Sequence, residues 1–340
     1  MSRKEHFMDQ LYKASTGIAN AVLVTIGIGM LFESMGGYLG WEVLIAIGGT
    51  TKVLLAPALG AGIAYQLGGN SLVIFSAMSS AVVGGAAIER TAEGVFTIVT
   101  GQPISAVLAG VIATYVGMKL TGKTKLDFMA IPLAALFVGG VSGVALAAVT
   151  TPFLTWLSGQ ITEAVSGSPL IGSMVIALVW SILLMTPASS AALAVALQLD
   201  PVSSAAALIG CTVQFVGFTV MSRKDNDMGG ILAQAIVTPK VQFPNLIRKP
   251  YYVIPPFVAA LICSPIATML FNFQVSYEIG GMGLSALVAP ISVWTTQGLN
   301  VFLIYVGVGM ILPAFITLLL YRVLKMMGKT KAGDLRLEVS

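Results

Sequence analysis

The chain alternates between long apolar runs and short polar or charged stretches over almost its whole length. A run of about 18 or more apolar residues is long enough to cross the hydrocarbon core of a bilayer as a helix. The successive runs predict about ten transmembrane helices. Eight of them are expected near residues 17–32, 72–88, 128–149, 169–185, 187–199, 202–221, 252–271 and 301–325. The other two, the second and the fourth along the chain, are expected to end near residues 67 and 119. The predicted fold class is therefore all-α and polytopic, with one membrane-embedded domain over residues 1–340 and polar ends at 1–16 and 327–340.

Two stretches, residues 231–247 and 279–300, have a different pattern. Both mix apolar residues with Pro, Gly, Gln, Asn, Ser and Thr. Irregular backbone at membrane depth is tolerated only where it is buried in protein or lines a wet cavity. Broken segments of this kind are where transporters build their binding sites. We therefore expect two re-entrant segments here.

Composition supports a membrane location and narrows the chemistry. Apolar residues make up 56% of the chain and charged residues 9%, whereas a soluble domain has roughly 25% charged residues. Glycine is abundant, and the spacing of Gly139 and Gly143 is typical of close helix packing in membranes. The single histidine, His6, and the two cysteines show no metal-ligand or catalytic spacing. We therefore expect no metal, no cofactor and no catalytic residue.

The basic residues predict the orientation. Lys and Arg are absent from residues 126–222 and 250–321 and cluster between and beyond these stretches. The positive-inside rule places such clusters in the cytoplasm. Both termini are then cytoplasmic, and the connection at 158–168 lies outside. Basic residues at membrane edges also account for the net charge of +4, so no nucleic-acid partner is predicted.

Ionisable residues within apolar surroundings are functional candidates, because their burial in lipid is costly. Lys52 is one, although a loop position or a side chain reaching the interface also explains it. The charged cluster at residues 89–93 divides two apolar runs, and a polar loop is the simpler interpretation.

The first predicted re-entrant segment contains the strongest candidates for a solute site. Lys240 is surrounded by amide and hydroxyl residues, and Pro239 and Pro244 free backbone carbonyls. Such a set suits a neutral polyhydroxylated solute, or an anion if Lys240 is charged; a tight turn at the membrane edge is the alternative. The candidate substrate-binding residues are Gln234, Thr238, Lys240, Gln242 and Asn245, with Gln214, Ser189 and Ser190 from other segments. For Gln214 an interhelical hydrogen bond is the alternative, and for the serines small-residue packing.

Several of these motifs resemble a known family. The stretch from Gln234 to Asn245 and the sequences TPASSAALA, IGCTVQFVGF, IPPFVAALICSPIATMLF and GGMGLSALVAPI are similar to those of the type 2 EIIC membrane proteins of the phosphotransferase system (PTS), including proteins like the perfringolysin O regulator. The family's first loop is similar to G-x-G-T-S-x-x-Q-x-P-N. Here Ala235 and Val237 replace glycines, Pro239 replaces a serine, and Lys240 takes a usually apolar position. These departures predict a different choice of substrate.

The resemblance implies a transporter rather than an enzyme. It would be a dimeric translocator of about ten helices with re-entrant hairpins, in the bacterial cytoplasmic membrane. The substrate would be a small polar solute, a sugar or polyol in particular. The chain has no companion domain with a phosphorylated Cys or His, so separate PTS IIA and IIB subunits are the implied partners, together with membrane lipid. Two alternatives stay open: a membrane sensor built on the translocator fold, and an ion-coupled carrier of a small anion.

Overall fold

The computed structural model describes residues 3–90, 95–185 and 190–337, and these are almost entirely helical. The helices are α1 Arg3–Val22, α2 Gly29–Leu39, α3 Glu42–Val53, α4 Leu55–Gln66, α5 Ser71–Gly84, α6 Pro103–Leu120, α7 Asp127–Gly167, α8 Pro169–Met185, α9 Ser190–Leu197, α10 Pro201–Ser222, α11 Met228–Leu232, α12 Phe243–Arg248, α13 Ile254–Pro265, α14 Tyr277–Gly280, α15 Val288–Val306 and α16 Leu312–Met326. Strands β1 Ile88–Arg90 and β2 Phe96–Ile98 form an antiparallel hairpin. The π-helical turns are Leu23–Ile28, Ala233–Val237, Ile266–Leu270 and Gly307–Ile311, and the 3-10 turns are Pro239–Gln242, Pro250–Val253 and Ser285–Leu287.

The chain packs as two compact units, residues 1–157 with 195–197 and residues 158–194 with 198–340. The prediction of one membrane-embedded domain stays a prediction. In the first unit, helices approach through small residues. A Cβ added to Gly139 would lie 2.6 Å from the Ala113 Cβ, and one added to Gly143 would lie 2.7 Å from the Gly84 Cα. The close packing predicted for these two α7 glycines is therefore confirmed.

The second unit is organised around α10. Helices α8, α13 and α16 pack against α10, and most of its residues are buried. A helix that is apolar on every side is buried on every side. A Cβ on Gly210 would lie 2.2 Å from the carbonyl oxygen of Ala177 on α8, and one on Gly217 would lie 2.7 Å from Pro256 on α13. Glycines thus bring the three backbones together, and α10 becomes the core of this unit.

The all-α polytopic fold class is confirmed, but the count of ten spans is not. Among the described residues, six helices are long and apolar enough to cross a membrane, and the pair α3–α4, bent by 60°, would make a seventh. Of the crossing predicted at 187–199, the described residues 190–199 contain α9, whose eight residues span about 12 Å of a hydrocarbon core of about 30 Å; residues 187–189 lie outside the described residues. The connection predicted at 158–168 is instead the last part of α7, which is one helix of 41 residues.

The two predicted re-entrant segments differ from each other. Residues 228–248, here called the first broken segment, consist of short helical pieces interrupted at Thr238, which is extended at φ −170° and ψ 137°. Residues 277–287, the second broken segment, are irregular, with positive φ at Gly283, Ala286 and Leu287. The remainder of the predicted segment 279–300 is the first part of α15, which kinks at Gly298. The second interruption is therefore shorter than the sequence predicted.

Candidate solute site

Both broken segments pack against α10, and they also contact each other. The first segment touches α10 through its π-helical and 3-10 turns, and the second through α14. Where the segments meet, the Ser285 hydroxyl donates to the Val237 carbonyl oxygen at 3.3 Å. The breaks in the two segments thus lie together beside one buried helix. Irregular backbone against a packed helix is the arrangement in which transporters place polar binding groups.

Glycine allows the second broken segment to approach so closely. A Cβ on Gly281 would lie 2.2 Å from the Ser190 carbonyl oxygen, and one on Gly283 would lie 2.6 Å from the Phe215 ring. Gly283 also has φ +59°, a conformation that favours glycine. At the same contact, the Ser190 hydroxyl donates to the Gly281 carbonyl oxygen at 2.8 Å. Ser190, the first residue of α9, is therefore fixed at this junction.

The 3-10 turn that carries Lys240 packs against α10, and the Lys240 side chain is half-buried. On α10, the Cys211 thiol donates to the Trp180 carbonyl oxygen at 3.7 Å. The Thr238 hydroxyl accepts from the backbone N–H of Lys240 at 3.2 Å and so fixes the turn from which the lysine projects.

Gln214 follows Cys211 by one helical turn, so both side chains lie on the same side of α10. The Gln214 side chain is fully buried. Within the described parts of the chain, neither its amide nitrogen nor its amide oxygen has a hydrogen-bond partner. Leaving such a group unpaired costs about 1–3 kcal/mol per group. The interhelical hydrogen bond that was the alternative for Gln214 is therefore absent from the described residues, and both amide atoms are left without a partner there.

The other predicted amides are already hydrogen-bonded. The Gln234 amide oxygen accepts from the Ser222 hydroxyl at 2.9 Å and from the Gln242 amide at 2.8 Å. The Gln234 amide nitrogen donates to the Gly230 carbonyl at 3.0 Å. Asn245 donates to the Gln242 amide oxygen at 2.8 Å. Gln234 and Gln242 are fully buried, so this amide cluster (Gln234, Gln242 and Asn245) is a fixed network at the C-terminal end of α10.

The amide cluster also binds the end of the chain. The Gln242 amide donates to the Leu335 carbonyl oxygen at 2.9 Å, and the Asn245 amide donates to the Arg336 carbonyl oxygen at 3.1 Å. Sequence reasoning missed this contact, because residues 327–340 have the composition of a solvated polar end. Leu335, fully buried, is the apolar residue that could have indicated it.

A cavity of about 360 Å³ lies at the opposite, N-terminal end of α10. Its lining combines apolar side chains with a carboxylate and an amide; the residues are Val165, Ser166, Pro169, Asp200, Val202, Thr268, Met269 and Asn272. Asp200 caps α10 by accepting from the backbone N–H groups of Val202 and Ser203 at 3.0 and 3.1 Å. The volume of this cavity is within the range of small-molecule sites.

The remaining candidates fall elsewhere. Ser189 lies outside the described residues. Lys52 is in α3 rather than in a loop, and its ammonium is 2.6 Å from the Glu33 carboxylate on α2. Glu89 and Arg90 belong to the β-hairpin, which agrees with a polar connection, and Thr91 and Glu93 lie outside the described residues. No group of His, Cys, Asp and Glu among the described residues has the geometry of a metal site.

Comparison with known proteins gives one family. The family model "Phosphotransferase system, EIIC" matches residues 12–337, nearly the whole chain, so the resemblance drawn from the motifs is confirmed. No curated protein matches the chain significantly.

Proposed function

The chain belongs to the EIIC family of the phosphotransferase system, and on that premise we propose that it translocates a small polar solute, a sugar or polyol, along α10. As a member of that family it is a multi-pass membrane component of the system. The proposal adds the kind of solute and the residues that bind it. These residues are Gln214, Lys240, Thr238 and Ser190 at the centre, and Gln234, Gln242 and Asn245 at the C-terminal end of α10; Ser189, which lies outside the described residues, is proposed with them from the sequence.

The buried amide of Gln214 is the observation on which the proposal rests. A carboxamide offers two N–H donors and an oxygen acceptor, and a solute hydroxyl can both donate and accept. One or two hydroxyl groups would therefore satisfy the groups that the described chain leaves unpaired. Lys240, in the turn that packs against α10, adds further donors.

The length of α10 suggests how these groups act in sequence. Its 22 residues extend about 33 Å, close to the thickness of the hydrocarbon core. The cavity lies at its N-terminal end, Gln214 lies in its middle, and the amide cluster lies at its C-terminal end. A solute moving along α10 would meet polar groups at each stage.

Phosphoryl transfer is proposed to come from separate IIA and IIB subunits. Both cysteines of the chain are buried in helices, Cys211 in α10 and Cys263 in α13, where they are out of reach of a soluble partner. The only histidine is His6. We further propose a homodimer in the bacterial cytoplasmic membrane with both termini in the cytoplasm, which the clustering of Lys and Arg supports.

A ligand-stabilisation screen on the purified protein tests the proposal. A solute that binds the folded state raises its stability by mass action, so a panel of sugars, polyols and small anions should contain a compound that raises the melting temperature. Gln214→Leu should abolish that increase, whereas Gln160→Leu, at an exposed position of the same unit, should preserve it.

Lys240→Met distinguishes a neutral solute from an anionic one. The variant should affect binding of a neutral solute modestly, and it should abolish binding if the solute is an anion. If no neutral solute stabilises the protein, or if Gln214→Leu binds the identified solute with unchanged affinity, the proposed site is wrong.

A further inference from the structure

The last described residues, 329–337, are here called the tail. They follow α16 and return to pack against the first broken segment. The Leu335 side chain is fully buried among Met185, Phe218, Met221, Leu246 and Tyr252. These five residues belong to α8, α10, α12 and the turn before α13. One leucine of the tail thus fills an apolar pocket formed by four parts of the second unit.

Polar contacts fix the tail backbone on both sides of Leu335. The Asn226 amide donates to the Leu335 carbonyl oxygen at 2.9 Å, and the Asn226 oxygen accepts from the Leu337 N–H at 2.7 Å. The Asp225 carboxylate accepts from the Gly333 N–H at 3.0 Å. With the bonds from Gln242 and Asn245, side chains thus bind successive peptide groups of the tail.

An ion pair completes the contact. The Asp334 carboxylate accepts from the Lys249 ammonium at 2.6 Å and from the Tyr252 hydroxyl at 2.6 Å. Nearby, the Tyr251 hydroxyl donates to the Lys329 carbonyl oxygen at 2.7 Å. The tail, which turns at residues 332–335, therefore occupies a groove that recognises a peptide by its backbone, one leucine and one aspartate.

We propose that the tail is an exchangeable, tethered ligand that latches the first broken segment, and that it competes with the solute for the amide cluster. The competition rests on the function proposed above. The donors of Gln242 and Asn245 that bind the tail carbonyls are the same groups that would bind solute hydroxyls, so tail and solute exclude each other. Releasing the tail would free these donors and the C-terminal end of α10 together.

The bonding makes release feasible. The amide donors lose no partner when a hydroxyl or water replaces a peptide carbonyl, because all three are acceptors. The tail has one buried apolar anchor, and segments with few buried apolar contacts open locally at low cost. Its connection to α16 keeps the tail concentrated near the groove, which favours rebinding.

Thiol labelling of Leu335→Cys tests the latch without any solute. The natural cysteines are buried, so the background labelling of the unsubstituted chain is expected to be slow. Ala332→Cys, at an exposed position of the same tail, is the matched control. Leu335→Cys should label at least tenfold more slowly than Ala332→Cys. Equal rates would show that the tail does not dock and would overturn the proposal.

A synthetic peptide, KTKAGDLRL, with the sequence of residues 329–337 tests exchange. It should accelerate labelling of Leu335→Cys, and it should bind a chain truncated after Gly328. The same peptide with Asp at the position of Leu335 should do neither. If truncation prevents folding, full-length Leu335→Asp replaces it. If the peptide neither binds nor accelerates labelling, the tail is a permanent structural element and the latch is disproved.

Solute competition is read separately. In the Leu335→Asp variant, a solute identified by the stabilisation screen should bind at least three times more tightly than in the unsubstituted chain. Unchanged affinity would disprove competition while leaving solute binding intact. Failure of every solute to bind either chain would instead contradict the proposed function and the competition that rests on it. The labelling and peptide results would still decide whether the tail is a latch.

Discussion

At the scale of single residues, two buried glutamines of the second unit, Gln242 and Gln214, differ in whether their amides are hydrogen-bonded. Gln242 is fully buried and has a partner for both its amide atoms, including the donor contact to Leu335. Gln214 is equally buried, yet it has none among the described residues. A satisfied buried amide stabilises a fold, whereas an unsatisfied one reduces its stability. The two glutamines can therefore be distinguished by substitution.

Gln214→Leu should stabilise the folded protein in the absence of solute. The substitution replaces an unpaired amide by an apolar group of similar size, so the desolvation cost of about 1–3 kcal/mol is removed. Thermal unfolding of the purified variant in detergent would measure the gain. A melting temperature below that of the unsubstituted chain would mean that the amide has a partner, and the case for a ligand at Gln214 would fail.

Gln242→Glu should destabilise the protein more than Gln242→Ala does. Truncation to Ala removes the bonds and costs about 1–3 kcal/mol. The carboxylate adds a charge whose oxygen faces the Gln234 and Leu335 oxygens, where the amide nitrogen donated before. Melting temperatures of the two variants provide the comparison, with Gln160→Glu at an exposed position of α7 as control. Equal losses would contradict the assigned network.

At the scale of helices and their packing, the apolar runs were sufficient to place several elements. Helices α6, α8 and α10 begin or end close to the predicted limits, because runs of this length and composition favour helix in a bilayer. The interruption near Thr238 was also expected from Pro239 and the surrounding polar residues. The continuation of α7 to Gly167 was not, because polar residues in 158–168 are compatible with either a loop or an exposed helix.

Gly210→Ala tests the contact between α8 and α10. The added methyl group would lie 2.2 Å from the Ala177 carbonyl oxygen, so the two helix backbones must separate, and overpacking of this kind typically costs about 1–3 kcal/mol. Gly159→Ala in α7 has no atom within 4 Å of its added Cβ and should stabilise the protein by up to about 1 kcal/mol through helix propensity. Opposite shifts in melting temperature are expected, and a neutral Gly210→Ala would contradict the close approach.

At the scale of the whole molecule, the ion pair of the tail makes stability depend on pH. Although burial opposes it, hydrogen bonds from Lys249 and Tyr252 lower the pKa of Asp334 below its ordinary value of 3.8; Asp225 and Tyr321 also lie near this site. A carboxylate with a lowered pKa in the folded state contributes stability above the ordinary pKa and loses it as the pH falls through the lowered one.

The melting temperature of Asp334→Asn should therefore be lower than that of the unsubstituted chain at neutral pH, and the difference should vanish at acidic pH below 3.8. Asp9→Asn, which removes an exposed pair with Lys13, is the control, because exposed pairs contribute little at any pH. A difference that persists unchanged in acid would show that the Asp334 charge does not hold the tail.

The sequence by itself determined that the protein is a polytopic helical membrane protein and that its backbone is broken where Pro, Gly and amides gather. It also identified the family. These features are local, since hydropathy, proline and glycine act through neighbouring residues. Which amide pairs with which was decided by tertiary structure. Gln214, Gln234, Gln242 and Asn245 all carry side-chain amides, yet only the return of Leu335 and Arg336 to this region gives Gln242 and Asn245 their carbonyl acceptors. These contacts join positions about 90 residues apart, so the periodicity of either segment cannot predict them. They form because α8, α10 and α12 pack around one leucine, which brings the tail carbonyls to the amides.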